Sequence, residues 1–191
     1  MARLFLAISL PAKIKEKLKS LQEDLAKTQA HVRWVRPEGI HLTLKFFGEV
    51  PEEKTTQLIK AIEKVLEREK PGLLRFKVKD LGVFPNPRSP RVIWAGLEGD
   101  LVKLAKLQRH LEEAFIPLGF PMEKRAFVPH LTLGRIKSPR KRNVLMAKVA
   151  DYQEKNWSIP DDIEIEEIVL YESKLHPEGA IYTPRKRFPL T

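Results

Sequence analysis

Cysteine is absent from this chain of 191 residues, which excludes disulfides and thiolate metal centres at once. Methionine is scarce too, at three residues, while lysine and glutamate are plentiful. That balance resembles proteins from hyperthermophiles. Long apolar runs are also missing: none approaches the roughly 20 residues that a spanning helix needs. The first ten residues hold one arginine and a short apolar run. They are followed by Pro11 and a lysine-rich stretch rather than by a cleavage site. The reading is a first β-strand in a cytoplasmic protein with no membrane association. Flexible linkers and low-complexity segments are lacking as well, and there are only five histidines.

What is present is material for a core, with 42% hydrophobic residues, and 31% charged residues to keep a globular protein in solution. The formal net charge of +10 suits a polyanionic partner such as RNA, although a basic solvated surface would give the same number. Apolar periodicity predicts an interior strand over Leu4 to Leu10 and a helix opened by Pro11 with a stripe of Ile14, Leu18, Leu21 and Leu25. A short strand follows at Val32 to Val35, and Pro37-Glu38-Gly39 makes a turn. A second helix starts at Pro51, with Glu52 and Glu53 suited to its N-terminal dipole, and ends at Pro71-Gly72.

The next predicted elements are strands Leu74 to Phe84 and Arg91 to Leu97 around a proline-rich tip. Asp100 is suited to cap a third helix with the stripe Leu101, Leu104, Leu107, Leu111 and Phe115. A fourth helix is expected from Asn143 to Gln153. One late strand is expected through Ile163, Ile165 and Ile168 to Tyr171, and a last one from Ile181 to Leu190. Adjacent strands broken by helices favour an α+β fold with mainly antiparallel sheets.

Four residues occur twice. His41-Leu42-Thr43-Leu44 is repeated letter for letter at His130-Leu131-Thr132-Leu133, each copy at the start of a predicted strand. Side chains alternate between the two faces of a strand, so the leucines point one way and the histidine and threonine the other. In the first copy Ile40, Leu42, Leu44 and Phe46 share the core-facing parity, and His41, Thr43 and Lys45 share the opposite one. A structural histidine normally sits alone beside one satisfying neighbour. Two copies of an imidazole beside a hydroxyl are the arrangement that acid–base work on a phosphoester needs.

These paired tetrapeptides resemble the His-x-Thr-x signatures of the 2H phosphoesterase superfamily, most closely its RNA 2′,3′-cyclic phosphodiesterase branch, also called 2′-5′ RNA ligase. The resemblance extends over nearly the whole chain. It includes Arg3 to Ser9, Trp34-Val35, Leu44 to Val50, Gly82-Val83-Phe84, Arg91 to Gly96, Phe127 to Arg135, and Tyr182. It implies one bilobal domain over residues 1–191, with two pseudo-symmetric lobes, helices outside and a histidine motif from each lobe facing a central cleft. The implied reaction opens an RNA 2′,3′-cyclic phosphate to a 2′-phosphomonoester with no metal or other cofactor. Some relatives also join tRNA half-molecules through a 2′-5′ linkage.

By the same resemblance His41 is the proton donor and His130 the proton acceptor, while Thr43 and Thr132 bind the non-bridging phosphate oxygens. Arg135 stands at the position of a phosphate-contacting arginine. On an ideal strand it shares the parity of Leu131 and Leu133, so that role requires a bulge or twist. Lys45 has the better parity but is assigned no role.

A monomer acting on RNA ends is expected. A non-catalytic RNA-end binding module, or a 2H enzyme acting on another cyclic phosphate or a 2′-5′ oligonucleotide, stays open. His31, His110 and His176 read as structural or exposed. No carboxylate or third histidine stands at ligand spacing near either motif, which argues against zinc. Among the aromatics near the motifs, Phe127 is the best base-stacking candidate. Arg88 and Arg91 flank the proline-rich tip, where they are suited to grip a substrate backbone.

Overall fold

The computed structural model describes residues 1–191. The first stretch alternates weakly because strand β1 (Ala2–Ser9) lies between two other strands and is buried at almost every position. Helix α1 (Ala12–Ala26) follows, with Pro11 at its N-cap and Ile14, Leu18, Leu21 and Leu25 buried. Next come β2 (Val32–Trp34), a 3-10 turn at Pro37–Gly39, β3 (His41–Val50), α2 (Glu52–Glu69), β4 (Leu74–Phe84) and β5 (Val92–Gly99). The second half holds α3 (Leu101–Phe115), β6 (Leu131–Ile136), α4 (Arg142–Glu154), β7 (Ile163–Ile165), β8 (Glu167–His176) and β9 (Gly179–Pro189).

All strands join one antiparallel sheet in the order β7-β4-β5-β6-β3-β1-β8-β9, with β2 added against β6. The two motif strands, β3 and β6, are central neighbours. Outward from β3 run β1, β8 and β9; outward from β6 run β5, β4 and β7. The fold is thus α+β, two matching four-strand halves of a curled half-barrel with four helices. One hydrophobic cluster of 39 buried residues draws on both halves and on all four helices. Burying a core leucine, isoleucine or phenylalanine contributes about 1.5–3 kcal/mol each, so this cluster holds the halves together.

Polar contacts fix the helices relative to one another. Asp24 of α1 accepts hydrogen bonds from the Tyr152 hydroxyl and from Lys148 Nζ (3.1 Å), both on α4. Burial and the neighbouring Asp24 push the Tyr152 phenol up to about 12, and the Tyr152 hydrogen bond holds Asp24 below the usual carboxylate range. Between α2 and α3, His110 Nδ1 lies 2.9 Å from Glu69 Oε1. No helix is long and apolar enough to cross a membrane.

Two elements differ from expectation. Asp100 stands at the N-cap of α3 but makes no side-chain cap; its Oδ2 accepts the Arg75 backbone N–H at 2.8 Å and ties the helix start to β4. The single late strand is two. Residue Glu166 separates β7, which pairs with β4, from β8, which pairs with β1 in the other half. The curl of the sheet brings those two places within one residue of each other.

Candidate active site

The site is built on a seam. Leu42 of β3 and Leu131 of β6 are register partners, and both are buried. In an antiparallel pair the flanking residues cross, so His41 lies on the Thr132 side of the seam and Thr43 on the His130 side. All four open, together with Arg135, into one cleft of about 330 Å³. The structure therefore brings together the two histidines, the two threonines and Arg135 expected from the sequence.

Arg135 reaches the cleft through a β-bulge. Opposite β5, Trp94 pairs with Thr132 and Ile93 with Gly134, leaving Leu133 without a partner. Leu133 and Gly134 are buried in succession, and Arg135 comes out on the face of Thr132. Glycine is required there: a Cβ on Gly134 would lie 2.7 Å from Val32 Cγ1 and 2.8 Å from Trp34 Cε3, so only a bare backbone lets β2 close against the bulge.

The first half has the same device, and it overturns the parity expected for Lys45 and Phe46. Opposite β1, Thr43 pairs with Ala7 and Lys45 with Leu6, so Leu44 is the extra residue. Lys45 turns inward and is only 5% exposed. Its Nζ lies 2.8 Å from Glu112 Oε1 and donates to the Pro121 carbonyl oxygen at 2.8 Å. Phe46, expected in the core, is 47% exposed and forms a wall of the cleft, with the Arg3 guanidinium 5.1 Å above its ring. Phe46 is the first-half counterpart of Arg135, as Lys45 is of Gly134.

The two histidines are held alike. Nδ1 of His41 donates to the Gly39 carbonyl oxygen at 2.7 Å, and Nδ1 of His130 donates to the Val128 carbonyl oxygen at 2.7 Å. A carbonyl only accepts, so each Nδ1 carries a proton and each neutral ring keeps its lone pair on Nε2. An aromatic edge braces each ring: Tyr182 lies 5.3 Å from His41 at 88°, and Phe84 lies 5.0 Å from His130 at 89°. Phe5 also packs on His41, at 4.8 Å. Burial pushes the His41 imidazolium down from its ordinary value; the Gly39 bond opposes that, and the charge of Lys15 adds to it.

Other expectations meet different surroundings. Phe127 packs against the core and does not line the cleft; Phe46, Phe5 and Tyr182 are the aromatics there. Arg91 borders a separate groove beside His130, and Arg88 is exposed at the loop tip. His31 meets Ser138 Oγ at 3.0 Å, and His176 is exposed at the end of β8. Parity and spacing do not single out Arg3 and Phe46 as cleft residues. The Arg3-x-Phe5 alternation entering β1 is the one trace that could have pointed to Arg3.

A sheet folded about two equivalent histidine–threonine strands, with the reactive faces turned into a shared cleft, defines a 2H-type phosphoesterase. The comparisons agree. The family described as LigT like Phosphoesterase matches residues 8–94 and 100–182, and the chain belongs to it. The protein named RNA 2′,3′-cyclic phosphodiesterase in Methanothermobacter thermautotrophicus is 37% identical over 188 residues, covering 98% of each chain. The protein of that name in Methanocaldococcus jannaschii is 35% identical, over 94% of this chain and 96% of its own. Among solved structures, Escherichia coli LigT complexed with 3′-AMP superposes with a TM-score of 0.75 at 30% identity, over 100% of this chain and 98% of that one. The chain is an enzyme of this phosphoesterase family.

Proposed function

We propose that the enzyme hydrolyses the 2′,3′-cyclic phosphate at an RNA end to a 2′-phosphomonoester, using His41 as general acid and His130 as general base. The observation that carries the reading is the pair of imidazoles, each fixed in the same tautomer, opening with two threonine hydroxyls and an arginine into one cleft. The names of the relatives supply the substrate class.

Water attacks phosphorus while His130 Nε2 takes its proton. The bond from phosphorus to the 3′-oxygen breaks, and His41, as the imidazolium, supplies its Nε2 proton to that oxygen. The products are a 3′-hydroxyl and a 2′-phosphate, and the two rings exchange protons with solvent to reset. Thr43 and Thr132 donate hydroxyl hydrogen bonds to the non-bridging oxygens, where negative charge gathers, and the Arg135 guanidinium balances it. A 5′-hydroxyl in place of water would turn the same step into 2′-5′ joining of RNA ends such as tRNA halves. The reading includes a monomeric cytoplasmic enzyme acting as one bilobal unit over residues 1–191, the last supported by the shared core.

The test is turnover of adenosine 2′,3′-cyclic phosphate in the presence of EDTA, with His41→Ala and His130→Ala as variants. Each should lose about 10²–10⁴-fold in kcat while keeping the native circular dichroism spectrum. Near wild-type turnover by either folded variant overturns the assignment. A panel of other cyclic phosphates and 2′-5′ linkages identifies the substrate, and RNA binding without product in every case would favour a binding module.

A further inference from the structure

Beside the cleft runs a second groove of about 210 Å³, and Arg135 belongs to both. Its floor is the short pairing of β2 with β6, where Arg33 and Arg135 are register partners. Two like charges directly opposite each other on a sheet repel. Both side chains are exposed, and neither takes part in any of the ion pairs that engage the neighbouring charges. Lys137 lines the same groove two residues further along and is likewise exposed and unpaired. The remaining arginine, Arg36, is already occupied: Nη2 lies 3.7 Å from Glu178 Oε2 and also donates to the Glu178 carbonyl oxygen, closing the far wall against the β8–β9 turn. Three free cations therefore line a channel that starts at the reactive phosphate position and leads away from it.

We infer that this groove binds the phosphodiester on the 5′ side of the terminal nucleotide, so that Arg33 and Lys137 select an RNA chain end over a mononucleotide. The inference rests on the phosphodiesterase reading of the cleft. The terminal cyclic phosphate sits at the histidines, and the 5′-oxygen of the same nucleotide carries the next phosphate out along the sheet. An anion between Arg33 and Arg135 turns a repulsive cross-strand pair into a bridged one, which explains why two arginines are kept opposite each other with no carboxylate between them. The groove on the other side of His130, lined by Phe84, Arg91, Arg125 and Val128, offers two arginines on an apolar wall and no such opposed pair.

The experiment compares kcat/KM on adenosine 2′,3′-cyclic phosphate, on the dinucleotide ApA with a 2′,3′-cyclic end, and on that dinucleotide with a neutral methylphosphonate linkage. The variants are Arg33→Ala, Lys137→Ala and, as comparators, Arg91→Ala and Arg125→Ala. Arg33→Ala and Lys137→Ala should leave the mononucleotide unchanged and each lose about fivefold on the charged dinucleotide, the scale of one exposed charge contact. The wild-type preference for the charged over the neutral linkage should shrink equally. A loss shared by all three substrates, no loss at all, or a dinucleotide-specific loss confined to Arg91→Ala and Arg125→Ala overturns the proposal. Titration with 2′-phosphorylated ApA and with 2′-AMP reads the groove without turnover. If wild-type enzyme turns over nothing yet Arg33→Ala weakens only the dinucleotide, the phosphodiesterase reading falls and the groove stands.

Discussion

Leu42 and Leu131, the second residues of the two identical tetrapeptides, are the register pair that joins β3 to β6. They are 2% and 0% exposed. The leucines of the motif thus set the distance between the halves, while the histidines and threonines line the cleft on the opposite face. Leu131→Ala should cost about 2–5 kcal/mol in urea unfolding through the cavity it leaves. It should also lower kcat more than a Leu→Ala change of equal stability cost in α1, such as Leu18→Ala. Equal kcat effects from the two variants would deny the seam any role in positioning.

Gly134→Ala tests the bulge. The added methyl meets Val32 and Trp34 inside van der Waals contact, so β2 must move and Arg135 with it. Overpacking of this kind costs about 1–3 kcal/mol. Turnover should fall by at least tenfold although no group that touches the substrate has changed. The double variant Gly134→Ala/Val32→Ala should recover part of both losses, measured by thermal unfolding and steady-state kinetics.

The pH profile carries the signature of His41. Its imidazolium is held below the ordinary histidine value, first by burial, so in the free enzyme the protonated form that the proposed mechanism uses as the acid is lost as pH rises through that lowered value. Lys15 contributes to the lowering through its charge. Removing a positive charge favours the imidazolium, so Lys15→Met should move the His41 titration to higher pH. The His41 ring resonances followed by NMR across pH read this directly. A downward move of His41 would contradict the sign.

Lys45 and Glu112 form an ion pair in which the side chains are 5% and 3% exposed. Glu112 Oε2 also accepts the Glu123 backbone N–H at 2.9 Å, and Lys45 holds the Pro121 carbonyl oxygen, so the pair anchors the segment that leads to His130. Lys45→Met leaves a buried carboxylate without its partner and should cost about 3–5 kcal/mol. Lys45→Met/Glu112→Leu removes both charges and should regain most of that stability in urea titration while remaining impaired in kcat, because the segment before His130 is no longer tied. Full recovery of kcat would limit the pair to a stabilising role.

Much of this architecture was legible in the residues. Helix stripes such as Ile14, Leu18, Leu21 and Leu25 follow the 3.6-residue period closely enough to be read directly, and β4 matches its expected span from Leu74 to Phe84. The parity of His41 with Thr43 and of His130 with Thr132 also holds, because both pairs precede the bulges. Past them, strict alternation fails. A bulge is set by how a strand meets its neighbour, and neither Leu44-Lys45 nor Leu133-Gly134 states on its own that two successive side chains turn inward. Hence strict alternation places Lys45 outward and Phe46 inward, and Arg135 reaches the cleft face only with a bulge. The aromatic walls were hidden for a similar reason: Phe5 and Tyr182 come from opposite ends of the chain and meet only through the β1–β8–β9 half of the sheet.

The bulges make the site a matter of counting. From each threonine, the third residue onward emerges into the cleft whatever its chemistry, aromatic in one half and cationic in the other. Substitution at 46 or 135 alters what the cleft holds without disturbing the frame. Removing or inserting a single residue between 43 and 46, or between 132 and 135, would exchange inside for outside along the rest of that strand. Related chains should therefore keep these two intervals fixed in length.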